Sequence, residues 1–294
     1  MILQPMLANA LNIEDIPKKA QGYWMEPKLD GVRCVAAWDG RMYSRSAKTA
    51  LHEKLPHLSS AVRGLQLPQG VWLDGEIGYV EKRLGIWDQR VVQWPILDFN
   101  RTMRVVGSGA DEAIRKQKDF EAMSFYIFDV WDEREGTGRS QAYRNGWMQP
   151  INLRLDYSVI ERVPQLDAWN EDIYDDYVVN GGEGVILKNP SGIYVPGKRP
   201  TKTWYKIKKF DSFDGMIVDF DPGQGKYEGQ VGALVVRHPN GQDIRCSGMN
   251  DAERQIMTKD WRLFFGKHVE VKYFGLTAGT PRHPQFLRMR PDLD

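Results

Sequence analysis

Lysine, aspartate, glycine and arginine fall together in Lys28-Leu29-Asp30-Gly31-Val32-Arg33, a segment whose chemistry centres on the Lys28 amine. A free lysine, with a pKa of about 10.4, is a poor nucleophile at neutral pH. A neighbouring cation such as Arg33, or a metal, favours the neutral amine that attacks. Trp72-Leu73-Asp74-Gly75-Glu76-Ile77 sets a carboxylate, Glu76, at the end of a strand-like run, and Glu183-Gly184-Val185-Ile186-Leu187-Lys188 does the same with Glu183. Trp204-Tyr205-Lys206-Ile207-Lys208 alternates, so Lys206 and Lys208 project from one face of a strand, as groups that neutralise a triphosphate must. A buried-strand reading accounts for the apolar residues of these segments and leaves the in-line charges unexplained.

The net charge of +1 carries no polyanion signal, so any binding to nucleic acid has to come from local clustering. Seven basic residues (Lys188, Lys198, Arg199, Lys202, Lys206, Lys208, Lys209) lie between positions 188 and 209 without an acidic one, and they form the expected basic docking face. The two cysteines, Cys34 and Cys246, have no ligand or disulfide spacing, and the five histidines are scattered, which argues against a zinc site and against histidine base chemistry. Gly223-Gln224-Gly225-Lys226-Tyr227-Glu228-Gly229 lacks P-loop spacing and reads as a loop between strands. With 41% apolar and 27% charged residues and no apolar run near the roughly 18 residues of a membrane span, the chain reads as a non-membrane protein. Its N-terminus lacks a basic start and a small-residue cleavage site, so a cytoplasmic location is expected.

Taken in order, the Lys28, Glu76, Glu183 and Lys206 segments resemble the nucleotidyltransferase motifs of DNA ligases, RNA ligases and mRNA capping enzymes. The resemblance runs over nearly the whole chain. It implies that Lys28 is the adenylated lysine, that Glu26 reads the adenine amino edge, and that Phe128, in Tyr126-Ile127-Phe128-Asp129, stacks on adenine. It gives Glu76 a place near the ribose and, with Glu183, near a metal, Mg²⁺ or Mn²⁺. Arg33 and Arg45 match arginines that hold phosphates of nucleotide or nick, and Arg199, Lys206 and Lys208 complete the phosphate set. Glu-Gly-Val at 183–185 and the early Gln4-Pro5-Met6-Leu7-Ala8 are similar to ligases rather than capping enzymes. Only 27 residues precede Lys28, which favours ATP over NAD. The terminal Arg288, Arg290 and Asp292 are similar to the last motif of small ligases, although Leu293 stands where lysine is common. Arg101 and Arg104, between Glu76 and Phe128, are further candidates for DNA phosphate. The implied activity is that of a monomeric, ATP-dependent DNA ligase sealing nicked duplex DNA. The alternatives are an RNA ligase or capping-type transferase on the same scaffold, or a non-catalytic nucleic-acid-binding protein.

Positioning these groups requires an α+β fold. Two strands, at Tyr23 to Glu26 and Val32 to Trp38, are expected to form a hairpin about Asp30-Gly31. Further strands are expected at Val71 to Tyr79, Ser124 to Trp131, Tyr157 to Val163, Gly184 to Leu187 and Thr203 to Lys208. Helical periodicity covers Leu51 to Leu65, Ala110 to Ala122, Tyr143 to Leu155 and Leu166 to Val179. After Lys209 come short strands at Asp214 to Phe220, Val231 to Arg237, Asp243 to Ser247 and His268 to Phe274, with one helix at Asp251 to Leu263. That pattern suits a small OB-fold β-barrel. The expected domains are therefore 1–209, an adenylation domain of antiparallel sheets and flanking helices, and 210–294, the barrel, with a hinge near Phe210.

Overall fold

A computed structural model describes residues 2–88, 90–117, 123–153, 159–277 and 279–294. The chain divides into two compact units, Met1–Ile207 and Lys208–Asp294. The first carries strands β1 (Asn9–Ala10), β2 (Trp24–Pro27), β3 (Val32–Ala37), β4 (Met42–Ser44), β5 (Val71–Asp88), β6 (Arg90–Asp98), β7 (Ser124–Asp132), β8 (Ile160–Arg162), β9 (Gly184–Lys188) and β10 (Trp204–Lys208). Its helices are α1 (Ile16–Lys19), α2 (Pro56–Gly64), α3 (Phe99–Val106), α4 (Ala110–Gln117), α5 (Gln141–Leu153) and α6 (Glu171–Val179).

Two sheets form the body of this unit. One runs β4-β3-β5-β7-β8 with β6 paired to β5, and the other runs β1-β10-β9-β2. Most pairings are antiparallel; β7 with β8 and β1 with β10 are parallel. The outer face of the larger sheet (Ala36, Leu73, Ile77, Phe125, Ile127) buries against Leu58 and Val62 of α2 and Val105 of α3. Leu58 and Val62 are fully buried, each worth about 1.5–3 kcal/mol of apolar transfer. The outer face of the smaller sheet (Met25, Val185, Leu187, Tyr205, Ile207) covers Tyr174 and Tyr177 of α6. Between the sheets, Val35, Ala37, Trp72 and Trp131 meet Tyr194 and Trp204.

Several elements differ from expectation for local reasons. β2 and β3 are not a hairpin: β2 pairs with β9, and β3 with β4 and β5. Pro27 has no N–H to continue a ladder, and the Lys28 N–H goes to the Gly184 carbonyl at 2.8 Å, so residues 28–31 cross from one sheet to the other. The Asp-Gly pair that does make a tight turn is Asp39-Gly40, with φ +85° at Gly40, joining β3 to β4. Helix α2 starts at Pro56, five residues later than Leu51, because the residue before a proline is barred from helical geometry and proline suits the first helical position. Leu166 pairs with Met25 instead of opening a helix, and Asn170 caps α6 by accepting from the Ile173 N–H at 3.0 Å. Strand β6 and helix α3 fall between Glu76 and Phe128, ahead of the helix expected at Ala110, where no element is expected; Asp98 caps α3 by accepting from the Arg101 N–H at 2.8 Å. The helix expected to reach Ala122 is described over Ala110–Gln117, with residues 118–122 outside the described set. Residues 154–158, which include the start of the strand expected at Tyr157 and the end of the helix expected at Leu155, are also outside it.

The second unit contains β11 (Asp211–Pro222), β12 (Val231–Arg237), β13 (Asp243–Cys246), α7 (Asp251–Lys259), β14 (His268–Tyr273), β15 (Leu276–Thr277), β16 (Thr280–Pro281) and β17 (Gln285–Met289). Its main sheet has the order β13-β12-β11-β14-β17. The expected barrel is open among the described residues. The edge strands meet at one bridge, Ser247 with Gln285, where the Phe286 N–H donates to the Ser247 carbonyl at 2.6 Å. Ile217, Leu234, Val236, Val269 and Val271 fill its core. Helix α7 ends at Lys259, four residues before expected, and a 3₁₀ turn over Trp261–Leu263 follows.

Candidate active site

Strand parity decides which side chains meet between the two sheets. Since Met25, Val185, Leu187, Tyr205 and Ile207 fill the outer core, their alternates Glu26, Ile186, Lys188, Trp204 and Lys206 face the larger sheet. Strict alternation would place Glu183 on the outer side with Val185. Gly184 breaks it with φ +133°, a conformation closed to side-chain-bearing residues, and the Glu183 carboxylate meets the Lys28 ammonium as an ion pair. From the other sheet, Glu76 approaches beneath Gly31. A Cβ on Gly31 would stand 2.4 Å from the Ile77 carbonyl oxygen and 3.0 Å from the Glu76 Cγ, so only glycine lets this crossing lie flat on β5.

The cluster is thus one lysine between two carboxylates drawn from different sheets. Burial is the largest influence on Glu76 and pushes its carboxyl up to about 8 against the pull of Lys28 and Arg33; Glu183 and Asp30 push the same way as burial. Glu26 is also raised by burial, an effect opposed by Lys188, whose ammonium lies 2.8 Å from it. Both partners of that pair are at most 4% exposed. Lys188 also donates to the Phe128 carbonyl and sits 5.1 Å and 4.7 Å from the Phe128 and Trp204 ring centroids. Arg33 makes a two-pronged pair with fully buried Asp74 (2.7 and 2.6 Å), donates to the Met6 carbonyl, and lies 4.5 Å over the Phe128 ring. Tyr194 donates its hydroxyl to the same Asp74 carboxylate at 2.6 Å.

The structure therefore brings together Lys28, Glu76, Glu183 and Arg33, with Glu26 and Phe128 joined through Lys188. Lys206 and Lys208 are half-buried on β10, and Arg199 is exposed in the preceding loop. Arg45 is exposed in the turn after β4, which is closed by the Ala47 N–H on the Ser44 carbonyl at 2.8 Å. Arg101 and Arg104 lie on α3; the Arg101 guanidinium sits 4.3 Å over the Tyr79 ring, while Arg104 is exposed. In the second unit Arg288 pairs with Glu270 at 2.7 Å, and Arg290 holds Asp214 at 2.6 Å and Asp292 at 2.8 Å. One expectation fails outright: Lys188 does not belong to a basic docking face, because it is 1% exposed and its charge is met inside by Glu26. Lys188, Asp74, Tyr194 and Trp204 are site neighbours that motif reading missed. For Lys188 the signal was its parity with Ile186 and Glu26.

Comparison with known proteins gives this geometry a family. Residues 5–208 match the ATP dependent DNA ligase domain, and residues 222–290 the DNA ligase OB-like domain. A protein named "Probable DNA ligase" from Sorangium cellulosum is 29% identical over 98% of this chain and 56% of its own length. The DNA ligase of Archaeoglobus fulgidus is 27% identical over 98% of this chain and 55% of its own. The chain thus spans somewhat more than half the length of these relatives. A solved Lig E DNA ligase chain, studied for DNA binding with a minimal scaffold, aligns with 99% of this chain and 100% of its own at TM-score 0.69 and 23% identity, a likeness of fold. From the Lys28–Glu183 pair outward to the five-stranded second unit, the chain belongs to the ATP-dependent DNA ligase family.

Proposed function

We propose that the protein seals 5′-phosphate/3′-hydroxyl nicks in duplex DNA at the expense of ATP, acting as a cytoplasmic monomer. The observation that carries this reading is the Lys28 amine held against Glu183, with Glu76 on the facing sheet. In the first step the Lys28 nitrogen attacks the ATP α-phosphorus in line, a P–N bond forms, and pyrophosphate leaves. Glu183, which accepts from the Lys28 ammonium, is placed to hold the proton the amine must shed. Lys206 and Lys208, with Arg199 and Arg45, neutralise the phosphates. Glu26, paired with Lys188, accepts from the adenine amino group beside Phe128. AMP then passes to the nick 5′-phosphate, and the 3′-hydroxyl displaces it, releasing AMP and closing the strand.

Glu76 and Glu183 present hard oxygen donors of the kind Mg²⁺ or Mn²⁺ takes when phosphates and water complete the shell, so the residues fit such an ion without a larger cluster of protein ligands. When bound, it supplies positive charge to the phosphates. Arg101 and Arg104 on α3, and Arg33, serve as contacts to DNA phosphate; Arg288, Arg290 and Asp292 assist the ATP step. We place the domain break at 209/210, with the hinge at Phe210.

The test is incubation with ATP labelled at the α-phosphate, followed by sealing of a singly nicked duplex. Wild-type protein is expected to take up one label that is stable to alkali and released by warm acid, as a P–N bond requires, and to seal. A Lys28→Ala protein that still acquires label would overturn the assignment of the nucleophile, and labelling by GTP in place of ATP would overturn the nucleotide.

A further inference from the structure

Glu183 follows helix α6 on a short turn, Asn180-Gly181-Gly182, and enters β9 through Gly184. Glycines on both sides of a carboxylate give the backbone little restraint of its own, since they lack the Cβ that limits φ and ψ. Yet Glu183 meets the Lys28 ammonium as an ion pair, which requires a fixed approach. The restraint comes from the helix. A Cβ on Gly182 would stand 2.3 Å from the δ1 and ε1 carbons of the Tyr177 ring and 2.6 Å from its ζ carbon, so the Gly182 backbone lies directly against that ring. The Gly182 N–H also donates to the Tyr177 carbonyl at 2.9 Å, and the Gly181 N–H to the Val178 carbonyl at 3.0 Å.

Tyr177 has no room to move. It is 1% exposed, its hydroxyl donates to the Pro95 carbonyl at 3.0 Å, and fully buried Trp94 packs edge-on to its ring with centroids 5.1 Å apart. Burial is the largest influence on the phenol and raises it, with Glu183 and Asp30 acting in the same direction, so the hydroxyl stays a neutral donor. Trp94 and Pro95 belong to β6, which pairs along β5, the strand that carries Glu76. One clamped ring therefore joins the strand pair of Glu76 to the turn of Glu183, and these are the two carboxylates gathered about Lys28. A close-packed interior yields little to compression, so the ring passes its position on to the turn.

We propose that Tyr177 is a positioning residue that sets the Glu183 carboxylate against Lys28 by pressing its ring on Gly182. The inference rests on the reading of Lys28 as the nucleophile with Glu183 as its partner. The ring carries the effect, because it is ring carbons that Gly182 meets, while the hydroxyl is spent on β6.

The test measures the rate of Lys28 labelling from α-labelled ATP in the full chain and its variants. A displacement of about 1 Å at a reacting group costs on the order of 100-fold, so Tyr177→Leu is expected to lose about that factor in kcat. Its KM for ATP should stay within about twofold of wild type, since the contacts to base and phosphates come from other residues. Tyr177→Phe keeps the ring and should stay within about threefold of the wild-type rate. Gly182→Ala drives a methyl into the ring and tests the same contact from the other side. The double variant Gly182→Ala/Tyr177→Leu should outperform Gly182→Ala, because the methyl then enters space that the ring has left. A wild-type rate in Tyr177→Leu, an equal fall in Tyr177→Phe, or penalties that simply multiply in the double variant would each overturn the proposal. Hydrogen exchange over residues 180–185, read by mass spectrometry, is expected to rise in Tyr177→Leu; unchanged exchange would overturn the role of the ring whether or not the wild type takes label. A wild type that takes no label while exchange rises in the variant would overturn the reading of Lys28 instead. Melting followed by circular dichroism separates a lost contact from a lost fold.

Discussion

Replacing Lys188 by methionine removes one half of a buried ion pair without creating a large void. Lys188 and Glu26 lie 2.8 Å apart, 1% and 4% exposed, so the carboxylate left behind has no water to replace its partner. Breaking such a pair costs about 3–5 kcal/mol, most of it the penalty of a lone buried charge. The hydrogen bond to the Phe128 carbonyl is lost as well, adding about 1 kcal/mol. The loss depends on pH. Burial already raises Glu26, and Lys188 is the strongest influence holding it down, so without the lysine it rises further. A carboxyl raised in the folded state binds a proton that the unfolded chain has released, so stability falls as pH climbs from the unfolded value of about 4.3 to the folded one. The variant is therefore expected to lose about 3–5 kcal/mol at pH 8 and less at pH 5.5, since a raised carboxyl is protonated more readily as the pH falls. Urea unfolding of the wild type, Lys188→Met, Glu26→Gln and the double variant, at both pH values, gives the coupling energy. A cost under about 1 kcal/mol at pH 8, or a double variant no more stable than Lys188→Met, would refute the reasoning.

Glu76→Gln bears on the site itself. With the Glu76 carboxyl up at about 8, the folded protein holds a proton that the unfolded chain loses above about pH 4.3, so wild-type stability is expected to decline from pH 5 to 8. The glutamine variant should show a shallower decline by calorimetric melting, and an equal slope in both proteins would contradict the assignment. Gly31→Ala forces a methyl within 2.4 Å of the Ile77 carbonyl, so the crossing from β2 to β3 must lift off β5. Loss of Lys28 adenylation, together with a destabilisation of roughly 2 kcal/mol, is expected from α-label uptake and urea titration; full adenylation at wild-type stability would show that the close approach does not matter.

Charges placed in line with apolar residues were legible at once, because no core explains Lys28, Glu76, Glu183, Lys206 or Lys208 in such company. The strands that carry or flank them were legible too, since alternation along a strand is a local property. The proline that starts α2 and the asparagine that caps α6 were visible as letters but lost to hydrophobic periodicity, which has no sharp ends.

What the sequence by itself determined was the inventory of chemical groups, the strands that bear them, and the change to short strands after Lys209. What only the tertiary structure decided was which groups share a space. Asp30-Gly31 reads as a hairpin, yet the chain crosses between sheets there, because the Lys28 N–H finds its acceptor on β9 and Gly31 fits beneath Ile77. Lys188 reads as one more surface cation, yet it is a buried partner of Glu26, since the face a strand turns inward depends on the second sheet laid against it. Pairing across a long separation leaves no periodic trace in either segment, so the Lys28–Glu183 contact, 155 residues apart, exists only once both sheets have formed.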